Sequence, residues 1–123
     1  MNIVNTPNAP AAVGPYSQAV ISNGFIFCSG QIALTSAGNI IEGGIKEQVK
    51  QIMQNLKAVL EAADSDLSKV VKTTIYLTDL NDYAIVNETY GEFFFDSAPA
   101  RATVQVVALP KNAKIEIDAI AVI

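Results

Sequence analysis

Apolar and polar positions follow two different rhythms along this chain. Residues 17–21 and 25–29 are short apolar runs flanking Asn23-Gly24. That dipeptide favours the positive φ of a tight turn, so the two runs read as a β-hairpin. A polar turn over 35–39 with Gly38, then Gly43-Gly44, marks the next boundary. From Ile45 the period becomes helical. Ile45, Val49, Ile52, Met53, Leu56, Val59, Leu60 and Ala63 form one stripe, with Lys46, Lys50, Gln54, Lys57 and Glu61 mostly on the other side. This helix is expected to stop near Asp64. Strict alternation returns over 71–78, a third strand. Asp79 or Asn81 then caps a second helix, with Tyr83, Val86, Tyr90 and Phe93 or Phe94 facing inward. Residues 102–108 and 114–122 are the last two strands, joined by a turn at Leu109-Pro110-Lys111-Asn112. Residues 1–15, with three prolines, read as an extended arm.

Two helices cover one face of such a sheet. The other face keeps many Val, Ile and Ala on the last three strands, and an uncovered apolar face points to a partner, here a second copy of the chain. Composition agrees: half of the 123 residues are hydrophobic and 16% are charged, more apolar than a soluble monomer needs. The length fits one domain over 1–123. No apolar run approaches the roughly 18 residues of a membrane span, and the N-terminus does not resemble a secretion signal. The single cysteine, Cys28, is expected to be an inert core residue, and a cytoplasmic location is the default. With no histidine, Ser-His-Asp and Cys-His nucleophiles, histidine metal ligands and histidine-based ribonuclease chemistry all fall away. A net charge of −4 argues against avid nucleic-acid binding.

Two residues break the apolar grain of the final strands. Arg101 stands at the mouth of one, after Pro99, which fixes its own φ and biases Ala98 toward extended backbone. Glu116 sits between Ile115 and Ile117, so alternation turns its carboxylate to the opposite face from theirs. The pattern alone leaves two readings open: an edge-strand salt bridge that blunts aggregation, or a site for a small anion.

Several spaced blocks carry a resemblance across nearly the whole chain. They are Ala9-Pro10, Gly14-Pro15-Tyr16-Ser17-Gln18, Ser29-Gly30-Gln31, Val71-Lys72-Thr73-Thr74, Asp79-Leu80-Asn81-Asp82, Val86-Asn87, Tyr90, Pro99-Ala100-Arg101 and Lys114-Ile115-Glu116-Ile117. In this order they resemble the reactive intermediate deaminase (Rid) family, also called YjgF or L-PSP, and its RidA-type branch. The resemblance implies a chorismate-mutase-like α+β fold, a mixed β-sheet with two helices on one face, assembled as a homotrimer with clefts between subunits. It also implies hydrolysis of 2-imino acids, such as 2-iminobutanoate and 2-iminopropanoate, to 2-oxo acids and ammonia, with neither cofactor nor metal.

Under that resemblance Arg101 is the anchor for the substrate carboxylate, its planar fork suited to a bidentate pair. Glu116 holds the attacking water or passes a proton to the departing amine. Backbone groups of Gly30 and Thr103 complete the polar frame. Ser29 binds substrate or its own strand neighbours, Tyr16 is a cleft wall or a packed core tyrosine, and Asn87 is a cleft residue or merely solvates its helix. The chain departs from many relatives at Thr103, where they carry cysteine, and at Ala98, where bulkier residues are common. A 2-oxo-acid-binding regulatory module, an endoribonuclease and a holdase are the competing functions.

Overall fold

The computed structural model describes residues 1–94 and 96–123. Strands β1 (Asn2–Val4), β2 (Ala19–Ser22) and β3 (Phe25–Gln31) precede helix α1 (Ile45–Ala62). Strand β4 (Val70–Leu77), helix α2 (Tyr83–Gly91), β5 (Ala100–Gln105) and β6 (Ile115–Val122) complete the chain. The strands form one mixed sheet in the order β1-β2-β3-β6-β4-β5. Only the β4–β5 pair is parallel, and α2 supplies its crossover. The fold is α+β, with both helices on one face, as expected.

The hairpin turns as its sequence requires, with Asn23 at φ 53° and Gly24 at φ 80°. All eight residues of the α1 stripe are buried, and Gln48 and Asn55 join them. The helix stops in a Schellman arrangement around Asp64, which takes a left-handed φ of 59°. There the Ser65 N–H donates to the Leu60 carbonyl (2.9 Å) and the Asp64 N–H to that of Glu61 (3.0 Å). Asp79, rather than Asn81, caps the turn before α2, accepting from the Asn81 N–H.

Four expectations need correction. The N-terminal arm is not merely extended: Asn2–Val4 pairs antiparallel with β2 and lengthens the sheet. The buried Gln18 side chain ties the rest of the arm down, accepting from the Thr6 N–H (2.7 Å) and donating to the Pro10 carbonyl (2.8 Å). Strand β5 begins and ends earlier than 102–108, because after the Val106 N–H bonds the Leu77 carbonyl the chain leaves the sheet. Tyr83 does not face the core but is 40% exposed at the start of α2, while Thr89 is buried in the same helix. Finally, β5 (Ala100, Ala102, Val104) and β6 (Ile120, Val122) keep the helix-free face apolar as expected, joined by Val20, Phe25 and Phe27, but β4 turns Lys72, Thr74 and Tyr76 toward it.

Strand register decides which face each candidate residue occupies. Arg101 lies opposite Thr73 and Thr103 opposite Ile75, so both project on the helix-covered face. Glu116 lies opposite Tyr76 and projects on the open face. Within one chain the two residues are on opposite sides of the sheet.

Candidate functional site

On the open face a cavity of about 600 Å³ is lined by the arm, the end of β3, the 34–38 turn and β6. Ser29, Gly30, Tyr16, Lys111 and Glu116 all contribute to its wall. Ser29 and Gly30 form a β-bulge, since Cys28 pairs with Ala119 while Gln31 already pairs with Ile117. A Cβ at Gly30 would come within 2.8 Å of the Glu116 carboxyl carbon. Only glycine therefore leaves room for the Glu116 side chain to lie across β3. Half-burial pushes the Glu116 carboxyl above its ordinary value, and the charge of Asp118, two residues on along the same face, adds to the shift. Asp118 accepts a hydrogen bond from the Tyr76 hydroxyl at 3.1 Å. Lys111, left-handed at φ 55°, reaches the Gly38 carbonyl at 3.4 Å across the far wall.

Ser29 donates to the Ser17 carbonyl at 2.6 Å, so its proton serves the strand junction while its oxygen faces the cavity. Tyr16 is 54% exposed, which removes its reading as a packed core residue. Its hydroxyl accepts from the Val13 N–H at 3.4 Å. Cys28 is buried, and burial pushes its thiol up to about 12 with Asp118 contributing, so it is inert as a nucleophile.

The other half lies between β5 and α2. The Arg101 guanidinium carbon stands 5.3 Å from the Tyr90 ring centre and 5.6 Å from that of Tyr83. Its Nη2 donates to the Tyr83 hydroxyl at 2.9 Å. Beneath, the hydroxyls of Tyr90 and Thr73 share a buried 2.7 Å hydrogen bond. Asn87, one turn beyond Tyr83, is half-buried, and it is the largest influence holding the Tyr83 hydroxyl below its ordinary value, followed by the Arg101 charge. Thr103 has its Oγ1 buried with no hydrogen-bond partner.

The structure therefore gathers the predicted residues into two sets, Tyr16, Ser29, Gly30 and Glu116 on one face and Arg101, Asn87 and Thr103 on the other. It does not bring Arg101 and Glu116 together, so the edge-strand salt bridge between them is ruled out within one chain. The only ion pair among the described residues is the exposed Lys57–Glu61 pair at 3.9 Å. Arg101 has no carboxylate partner among them. Sequence reading missed Asp118, although a carboxylate two residues from Glu116 on a strand must share its face. It also missed Tyr83, whose helical spacing looked like core. Among the described residues no group of three or more His, Cys, Asp or Glu is placed to hold a metal ion. Among the same residues no helix is long and apolar enough to cross a membrane.

The family described as Endoribonuclease L-PSP matches residues 6–123. The chain belongs to this L-PSP, or Rid, family. Among its Rid relatives is a mouse protein named 2-iminobutanoate/2-iminopropanoate deaminase, 50% identical over 98% of this chain and 90% of the mouse protein. RidA from an Antarctic Psychrobacter species has a solved structure that superposes with a TM-score of 0.95 at 43% identity, covering 100% of both chains. The Escherichia coli protein TdcF, solved with bound serine, gives a TM-score of 0.95 at 40% identity, covering 100% of this chain and 99% of TdcF.

Proposed function

We propose that this Rid-family protein is a 2-iminobutanoate/2-iminopropanoate deaminase whose active site forms where two copies meet in a homotrimer. The observation that carries the reading is the separation of Arg101 from Glu116. A guanidinium without a carboxylate partner on one face and a carboxyl with a raised pKa on the other each lack what the other face provides. Bringing the β5 edge of one copy over the cavity of the next closes a single cleft around both. Relatives at about half identity that carry the deaminase name agree with it, and the serine bound to TdcF is a small α-carboxylate held by a relative.

In that cleft Arg101 grips the substrate carboxylate and fixes the C=N carbon. Water adds to the iminium carbon while Glu116 takes one of its protons, giving a carbinolamine. Glu116 returns that proton to the amine nitrogen. The C–N bond then breaks, ammonia leaves, and loss of the remaining hydroxyl proton yields the 2-oxo acid. A carboxyl held above its ordinary value by burial is suited to both transfers. Gly30 and Thr103 frame the polar wall through their backbones, Ser29 offers its oxygen, Tyr16 closes one side, and Asn87 supports the arginine. The reaction balances as iminium plus water to oxo acid plus ammonium, the lost hydroxyl proton going to the departing ammonia, and it calls for no cofactor.

The second reading, a 2-oxo-acid receptor without turnover, is favoured only by the serine complex of TdcF. The endoribonuclease description of the family finds little support in a histidine-free chain with net charge −4. The deciding experiment generates 2-iminobutanoate in place and tracks ammonia release. Acceleration by the purified protein, lost in Arg101→Ala and in Glu116→Gln, is expected. Binding of 2-oxobutanoate with no acceleration at any protein concentration makes the chain a receptor instead.

A further inference from the structure

We propose that Tyr83 is a direct ligand contact, its hydroxyl donating a hydrogen bond to the carboxylate that Arg101 grips. The inference rests on Arg101 being the anchor and adds a second donor to it. Helical spacing marks Tyr83 as a core residue, yet it stands 40% exposed with its hydroxyl against the Arg101 Nη2. That contact uses the Tyr83 oxygen as an acceptor. The Asn87 side chain lies four residues on, on the same helix face, and helps hold the pKa of this hydroxyl down. The guanidinium thus occupies a lone pair of the Tyr83 oxygen. The hydroxyl proton is then left without an acceptor among the described residues.

The neighbouring tyrosine shows the contrast. Tyr90 also lies against Arg101, but its hydroxyl is buried, sharing a 2.7 Å hydrogen bond with that of Thr73, and so is out of a ligand's reach. Of the two tyrosines beside the cation, only Tyr83 presents an exposed O–H. An acid oxygen seated on the Arg101 fork comes within reach of that proton, because the two groups are already one hydrogen bond apart. The lone pair that Arg101 occupies also makes the hydroxyl a stronger donor, in keeping with its lowered pKa. The ligand this pair fits is a small α-imino or 2-oxo carboxylate, with Arg101 supplying charge and Tyr83 supplying direction.

Tyr83→Phe removes the hydroxyl and keeps the ring against Arg101. Calorimetry with 2-oxobutanoate as the probe is expected to show binding weakened about tenfold, and imine turnover a KM raised by a similar factor with kcat within about twofold. Unchanged or tighter binding overturns the proposal. The same substitution in an Arg101→Lys background separates contact from positioning. A loss that persists there supports a direct contact, and one that vanishes leaves Tyr83 acting only through the arginine, which also overturns it. If the wild type binds the oxo acid without turning over imine, the deaminase reading falls while the binding comparison still decides Tyr83. If it binds no small carboxylate at all, both fall.

Discussion

The two faces of the sheet around β5 and β6 are built on opposite principles. On the helix-covered side, Arg101 carries a permanent charge on an edge strand, laid against two tyrosine rings and without a carboxylate partner among the described residues. On the open side, Glu116 sits on a central strand, half-buried, with a second carboxylate two residues away. One half has charge and no counter-ion. The other has a carboxyl whose pKa is raised by burial and by the charge of Asp118. Under the proposed function, the two together take a ligand with a carboxylate at one end and a proton-accepting nitrogen at the other. On the proposed intersubunit reading, the difference teaches that the protomer holds two half-sites rather than one weak site.

The sharpest way to break that comparison is to destroy each half separately and then mix them. Arg101→Ala is expected to lower kcat/KM by about a thousandfold or more, in line with removing one member of a charge-assisted pair. Glu116→Gln should cost about a hundred- to a thousandfold through lost acid–base catalysis. Neither side chain belongs to the buried core, so thermal unfolding should move by only a few degrees. If the halves meet between copies, co-refolding the two inactive variants in equal amounts restores about a quarter of the wild-type sites, because one seam in four joins an intact arginine to an intact glutamate. Should the mixture stay as inactive as its parents, the intersubunit site is lost.

A smaller effect is expected at the floor of the open face. Gly30→Ala places a methyl group where the Glu116 side chain now lies, within 2.8 Å of its carboxyl carbon. The glutamate is the flexible partner and has to swing away. Misplacing a proton-transfer group by about 1 Å costs roughly 10- to 100-fold in kcat. Binding of 2-oxobutanoate through Arg101 should change far less. Equal losses in kcat and in product affinity would point to a collapsed cavity instead of a displaced acid.

Which parts of the fold and site were legible in advance depends on which interactions are local. The α1 stripe could be read residue by residue because a 3.6-residue period repeats over four turns, and each buried aliphatic stabilises by about 1.5–3 kcal/mol. The Asn23-Gly24 turn and the outward face of Glu116 were equally plain. Residues 2–4 were too short and too poor in periodicity to announce a strand, and only pairing with β2 makes them one. The Tyr83 position misled because the spacing Tyr83, Val86, Tyr90 suits a buried stripe, while α2 lies beside β5 and gives its first turn to Arg101. The sequence placed Arg101 and Glu116 on neighbouring final strands. It could not reveal that β6 inserts between β3 and β4, which puts the two on opposite faces and two strands apart.

The finest test acts on the open half alone. Asp118→Asn keeps an oxygen for the Tyr76 hydroxyl and removes the charge, so it isolates electrostatics from packing. Burial is the larger cause of the raised Glu116 pKa, and it stays; the Asp118 contribution goes. The Glu116 pKa should therefore fall part-way back toward the ordinary carboxyl range, with Tyr76 and Lys72 of β4 still facing the site from the neighbouring strand. If ionised Glu116 is the base, the acid limb of the kcat/KM profile moves to lower pH, while the rate near neutrality changes by about twofold at most. Stability should respond with matching sign. A carboxyl whose pKa is raised on folding destabilises the fold as pH climbs from its unfolded value through its folded one, so the variant should show less of this decline across that window. An acid limb that stays in place while the stability curve shifts would leave Asp118 coupled to Glu116 in folding and remove Glu116 as the base in turnover.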